Sequence, residues 1–159
     1  MKSKILSLPA LARIIARLRS RGRKIVFTNG TFDLLHAGHV TYLEKAKKLG
    51  DVLVVGVNSD RSVRSYKTPE RPYSPERDRM TVLAALGCVD YVIKFNEPTP
   101  LRLIQTLRPQ VLAKGADWKK NKIAGAREVE ARGGKVVLLP LVRGKSTTRL
   151  IQKIQSKAT

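Results

Sequence analysis

From residue 24 onward, short apolar runs rich in Val, Ile and Leu alternate with longer stretches whose apolar positions recur every three or four residues. A buried strand reads as the first pattern and an amphipathic helix as the second. Strands are expected at Lys24–Thr28, Val52–Val57, Tyr91–Phe95, Val111–Ala113 and Lys135–Leu139. Helices are expected at Gly38–Leu49, Pro75–Leu86, Pro100–Leu107, Ala124–Arg132 and Ser146–Ile154. This alternation predicts an α/β fold, a five-stranded parallel sheet with helices on both faces. Residues 7–20 form a further amphipathic pattern, with Leu8, Leu11, Ile14, Ile15 and Leu18 on one side and arginines on the other. That N-terminal helix is expected to pack on the domain or on a second subunit.

Local punctuation sharpens the boundaries. Ser74 before Pro75 and Thr99 before Pro100 suggest N-cap hydroxyls followed by a proline, whose missing N–H is harmless in a first turn. Gly50, Gly87 and Gly133 suggest helix ends. Two stretches, Asn58–Ser74 and Lys114–Ile123, exceed ordinary connections and are expected to be functional or mobile loops. The 159 residues suit a single domain, 1–159, with residues 1–22 as a helical extension.

Composition removes several classes. With 42% hydrophobic and 28% charged residues the chain is an ordinary folded composition. Arg13 and Arg17 break the apolar N-terminal stretch, so it reads neither as a signal peptide nor as a membrane span. One cysteine, Cys88, excludes an internal disulfide framework and suits a cytoplasmic location. The formal charge is +20, with no acid before Asp33 and none after Glu130. Such charge attracts polyanions, whether nucleic acid, an anionic membrane or a phosphorylated small molecule. The few aromatics, one Trp, four Tyr and three Phe, are not interleaved with the basic residues as single-strand binding requires, so no stable nucleic-acid partner is expected.

The chemistry concentrates after the first strand. Both histidines, His36 and His39, lie three apart at the mouth of a helix, where an open parallel sheet binds its ligands. Gly30 and Gly38 permit close approach of a phosphate, and the helix start directs free N–H groups at it. Two imidazoles on one side would then face a polyphosphate. One histidine could instead be a cap and the other exposed. A zinc site is another reading of the pair, with only Asp33 near in sequence as a third ligand. The run Gly144-Lys145-Ser146-Thr147 lacks the glycine that a P-loop needs five residues earlier, where Leu139 stands.

Gly30-Thr31-Phe32-Asp33-Leu34-Leu35-His36-Ala37-Gly38-His39 resembles the signature of the cytidylyltransferase-like nucleotidyltransferases, over about Lys24 to Ile154. Val57-Asn58-Ser59-Asp60, Arg79-Met80, Ala84-Ala85-Leu86, Lys114 to Trp118, Ile123-Ala124-Gly125 and Ser146-Thr147-Thr148 follow in the same order. Within the family the resemblance is to the branch that makes ADP-heptose from D-glycero-β-D-manno-heptose 1-phosphate for lipopolysaccharide core synthesis, found alone or fused to a heptose kinase. It implies a Rossmann-like sheet, a likeness to dimeric enzymes, and attack of a sugar 1-phosphate on the α-phosphorus of ATP, with Mg²⁺ assisting and pyrophosphate leaving. The kinase half is outside the resemblance, so a separate kinase is expected.

The resemblance assigns His36 and His39 to the triphosphate, with Lys67 as a mobile phosphate clamp and Arg79 as a fixed one. Thr28, Asn29, Gly30, Thr31, Phe32 and Gly38 would contact the nucleotide, as would the hydroxyls and N–H groups of Ser146, Thr147 and Thr148. Asp33, Asp60, Lys114, Asp117 and Trp118 would serve the acceptor. Relatives acting on glycerol phosphate or choline phosphate carry an arginine five residues before Ser146. Leu141 stands there, with Arg143 nearer, which disfavours a cytidylyltransferase of that kind. Glycerol-3-phosphate cytidylyltransferase, FMN adenylyltransferase, a basic nucleic-acid module and membrane docking by residues 1–22 remain as other readings.

Overall fold

The computed structural model describes residues 3–142 and 144–157. Its secondary structure runs α1 (Leu8–Ser20), β1 (Ile25–Gly30), α2 (Ala37–Lys47), β2 (Val52–Asn58), α3 (Asp60–Arg64), α4 (Glu76–Ala85) and β3 (Tyr91–Phe95). Then come α5 (Leu101–Leu107), β4 (Val111–Gly115), a 3₁₀ turn (Lys120–Lys122), α6 (Ala126–Ala131), β5 (Lys135–Leu139) and α7 (Thr147–Gln155).

The five strands pair in the order β3-β2-β1-β4-β5, all parallel. Side chains alternate across each strand, so each run of β-branched residues serves two cores. On one face Ile25, Phe27, Val52, Val54 and Leu112 pack with Leu11 and Ile15 of α1, Leu103, Ile104 and Leu107 of α5, and Val129 of α6. On the other, Val26, Leu53, Val55, Val57 and Ala113 pack with Leu43 and Ala46 of α2 and Leu83 of α4. Helices therefore cover both faces, as the sequence pattern predicts. α1 lies on the domain itself, against α5, leaving Arg13 and Arg17 exposed. Just before it, Leu6 N–H donates to Val92 O and Val92 N–H to Lys4 O, so residues 4–6 cover the outer edge of β3.

The strand order matters for function. From β1 the chain steps outward through β2 to β3, then crosses back to place β4 on the other side of β1. The carboxyl ends of β1 and β4, at Gly30 and Gly115, thus flank the switch point where such sheets bind ligands.

Several boundary expectations are corrected. Ser74 and Thr99 are not the caps: Pro75 and Pro100 occupy those positions, without a side-chain cap hydrogen bond. Of the three helix-ending glycines, only Gly133 has a left-handed φ, at 79°. α2 and α4 end in other residues, Lys48 and Leu86. The loop Asn58–Ser74 contains the single-turn helix α3, capped by Ser59, whose hydroxyl accepts from Ser62 N–H. Arg143 lies outside the described residues. No helix among the described residues is long and apolar enough to cross a membrane.

Candidate active site

β1 delivers the chain into the motif. At its end Phe32 adopts a left-handed φ of 49°, a conformation that costs a bulky residue energy and persists where packing fixes it. The packing is evident: the Phe32 ring is buried and meets His39 edge-on at 5.5 Å between centroids.

His36 is the N-cap of α2. Its Nδ1 accepts from Gly38 N–H at 3.1 Å, which places the proton of the neutral ring on Nε2 as an available donor. His39, one turn along, stacks on it with centroids 4.0 Å apart and planes 28° apart. Gly38 makes the stack possible: a Cβ there would lie 2.9 Å from the His36 ring and 2.9 Å from Lys145 Cβ. The rings are thus held together and both line one cavity. Burial, then the neighbouring His36 and Lys67, hold His39 down at about 4, so it is neutral at pH 7 without ligand. His36 is also lowered, first by burial and then by Lys145. His39 Nδ1 is buried with no hydrogen-bond partner among the described residues, an unusual deficit at the centre of a site.

That cavity, about 420 Å³, lies at the switch point. β1 and the loop after it line it with Asn29, Gly30, Thr31, Phe32 and Asp33. Lys67 and Arg71 line it from the long loop, Lys114, Gly115, Asp117 and Trp118 from the end of β4, and Lys145, Ser146 and Thr147 from the start of α7. A second cavity of about 720 Å³ adjoins it, sharing Asn29, Gly30, Thr31, Lys67, Lys114 and Trp118 and extending to Tyr66, Pro98–Pro100, Lys122 and Ala124.

Lys114 stands between the two. It is buried, its Nζ lies 3.4 Å from Asn29 O and 5.0 Å from the Trp118 ring centroid, and burial pushes it down to about 8 despite Asp117. Ser146 caps α7 by accepting from Arg149 N–H at 3.1 Å, and the start of α7 lines the cavity through Ser146 and Thr147.

Four of the sequence-predicted residues are elsewhere. Thr28 is fully buried, sharing a 2.8 Å hydrogen bond with the Tyr42 hydroxyl. Thr148 is exposed beyond the cavity. Arg79 does not line either cavity. Its guanidinium donates to Ser74 O (3.0 Å), Thr31 O (2.5 Å), Asn58 O (2.8 Å) and Asp60 Oδ1 (2.8 Å), with a side chain 0% exposed. With its donors so committed, Arg79 buttresses the motif loop and is not a phosphate clamp. Asp60 is correspondingly its counter-ion, with no place on the acceptor cavity. Asp33 lines the first cavity, yet its carboxylate accepts from Tyr73 N–H and Ser74 N–H and pairs with Arg71 Nε at 2.8 Å. The ligand that the zinc reading needs is committed to those three groups.

Sequence reasoning missed Tyr42, Arg71 and Lys145. Burial lifts the Tyr42 phenol to about 12, so it is a neutral hydroxyl on the cavity wall. Each sits where an ordinary helix or loop side chain is expected, and only the fold turns it inward.

Residues 27–153 match the family model described as cytidylyltransferase-like. The chain is 56% identical to the bifunctional protein HldE of Citrifermentans bemidjiense over 97% of its own length and 32% of the relative, and 55% identical to that of Geotalea uraniireducens over 97% and 31%. It spans about a third of the length of these curated relatives. Among solved structures, the lipopolysaccharide core biosynthesis protein of Thermoplasma volcanium superposes with a TM-score of 0.62 at 29% identity, covering 78% of this chain and all of that one. With the histidine pair, the glycine-gated helix start and the switch-point cleft in place, the match over residues 27–153 settles the family: this chain is a cytidylyltransferase-like nucleotidyltransferase.

Proposed function

We propose that the chain transfers AMP from ATP to D-glycero-β-D-manno-heptose 1-phosphate, giving ADP-heptose and pyrophosphate for lipopolysaccharide core synthesis. The observation that carries the reading is the stacked His36–His39 pair facing a cavity ringed by Lys67, Arg71, Lys114 and Lys145. A polyphosphate supplies the negative charge this arrangement lacks. The similarity to HldE proteins and to a lipopolysaccharide core biosynthesis protein supports the sugar branch.

An oxygen of the sugar 1-phosphate attacks the α-phosphorus of ATP, the bond to the β-phosphate oxygen breaks, and pyrophosphate leaves with the electron pair. The attacking oxygen is already anionic, so no general base is required. Catalysis is positioning and charge neutralisation. His36 Nε2–H donates to the polyphosphate. His39, neutral in the empty site, gains proton affinity as anionic oxygens arrive beside it. The first turn of α7 supplies N–H donors through Ser146 and Thr147, and the smaller cavity holds the nucleotide phosphates. The larger one takes the acceptor, against Trp118 and Lys122, with Lys114 and Lys67 between the two. Asp117, which neither a hydrogen bond nor an ion pair engages among the described residues, is the unengaged carboxylate of the smaller cavity.

Mg²⁺ belongs to the proposal as a companion of ATP. That ion is bound through substrate phosphates and one or two carboxylates, and Asp117 is the cavity side chain that suits it. Bound there, it would neutralise charge on the phosphates. A cytoplasmic homodimer completes the reading, which light scattering tests.

The activity is tested by incubating the protein with ATP or CTP and with heptose 1-phosphate, glycerol 3-phosphate or FMN, following pyrophosphate release. ADP-heptose from ATP and heptose 1-phosphate is expected. Turnover with CTP alone would overturn the assignment.

A further inference from the structure

Arg71 is the cleft cation whose hydrogen-bonding capacity the protein leaves largely unused. Its side chain is 13% exposed, and Nε lies 2.8 Å from Asp33 Oδ2 as an ion pair without hydrogen-bond alignment. Beyond that pair, its charge rests 5.1 Å over the Tyr73 ring, and no hydrogen bond among the described residues engages its terminal nitrogens. A nearly buried guanidinium normally has acceptors for its planar fork of donors. Arg79, eight positions on, shows the satisfied case, with four oxygens around it.

The position of Arg71 is itself built. Asp33 takes Tyr73 N–H and Ser74 N–H, which pins the segment behind Arg71 to the histidine motif. Asp33 keeps those two donors whatever Arg71 does, so its buried charge stays served while the guanidinium turns its outer edge to a ligand. Burial lowers the proton affinity of Lys67, and the neighbouring Arg71 lowers it further. Two cations crowded on one wall are a cost that an anion between them removes.

Location decides which anion. Lys67 and Lys114 line both cavities, whereas Arg71 and Lys145 line only the one that holds His36 and His39. We propose that Arg71 binds the β- and γ-phosphates of the nucleotide, the pair that departs as pyrophosphate, through the unengaged edge of its guanidinium, with Asp33 as its backstop. This rests on the assignment of the smaller cavity to the nucleotide. It adds a phosphate-binding residue to the site and separates leaving-group contacts from acceptor contacts.

The test uses inorganic pyrophosphate as the probe, titrated calorimetrically into the full chain, its Arg71→Gln variant and its Arg71→Lys variant. A charge-assisted, two-pronged contact is lost in Arg71→Gln, so pyrophosphate affinity is expected to fall about tenfold or more. Arg71→Lys keeps the charge, loses the fork, and should fall between. In steady-state assays the KM for ATP should rise in parallel, with the KM for the acceptor unchanged. Pyrophosphate binding by a folded Arg71→Gln variant as tight as the unaltered chain's would overturn the proposal. So would a rise in acceptor KM alone, or no binding of pyrophosphate by the unaltered chain. If pyrophosphate binds as expected and heptose 1-phosphate is not a substrate, the acceptor assignment fails and the role of Arg71 stands.

Discussion

The two walls of the cleft are made on opposite plans. The wall at the end of β1 is locked: Phe32 is held in a left-handed conformation, Arg79 ties Thr31 to the ends of two other segments, and His36 caps its own helix. The wall formed by α7 is barely attached. None of the residues of α7 is buried, and Thr147 Oγ1 near its start donates to Leu34 O at 3.4 Å. Its apolar residues Ile151 and Ile154 edge a shallow 230 Å³ hollow with Leu34 and Tyr73, and Ile154 is 57% exposed. The contrast teaches where accuracy is required. On the proposed reading, groups that meet charge developing at phosphorus stand on the rigid wall, and further nucleotide contacts stand on the more exposed one.

The comparison breaks most sharply at Arg79. Arg79→Met leaves the carbonyls of Thr31, Asn58 and Ser74 without this donor and Asp60 without its partner. A loss of about 3–5 kcal/mol in denaturant unfolding is expected, with activity lost alongside. A change under about 1 kcal/mol would show that the wall is not locked in this way.

His39→Ala removes a group on the rigid wall together with its ring contact on Phe32, while the hydrogen bonds of Arg79 stay in place. Turnover should drop by about 10² or more in a variant that still folds, the lost ring contacts being partly offset because a buried unpartnered nitrogen goes with the ring. Unchanged turnover in the folded variant would remove His39 from the chemistry. The opposite wall should respond differently. Ser146→Ala deletes the cap of α7, a local cost of about 1 kcal/mol. It should raise the KM for ATP several-fold while the thermal midpoint stays within about 1 °C, since α7 contributes no buried residue to the cooperative core. A large fall in the midpoint would mean that α7 belongs to the core after all.

This difference also explains what could be read before the structure. Tyr91–Phe95 and Lys135–Leu139 are legible to the residue because each is a short run rich in β-branched and other apolar residues that begins directly after Asp90 or Gly134. The histidine motif was legible because its glycines and imidazoles are local: Gly38 must be small on account of His36, two positions away. Arg79 was misjudged for the opposite reason. Its partners, Thr31, Asn58, Ser74 and Asp60, come together only through tertiary packing, and a buttressing arginine has no sequence signature that separates it from a phosphate-binding one. Arg71 is indistinguishable from Lys67 in the sequence because nothing along the loop shows which cation Asp33 draws in. The turn of α3 was hidden because five residues dominated by charge carry no apolar period.

The central claim is that the stacked imidazoles converge on a polyphosphate. Nitrogen-15 NMR of the histidine rings, titrated with and without a non-hydrolysable ATP analogue, tests it most directly. Without ligand, burial keeps His39 neutral down to about pH 4. The folded value is depressed below the ordinary 6.5, so the stability associated with the neutral ring is present above pH 6.5 and is lost as pH falls toward 4. Anionic oxygens beside the ring favour its charged form, so the analogue should raise the midpoint by at least about one unit, with proton uptake on binding near pH 5. A His39 midpoint that stays near 4 with the nucleotide bound would contradict the account.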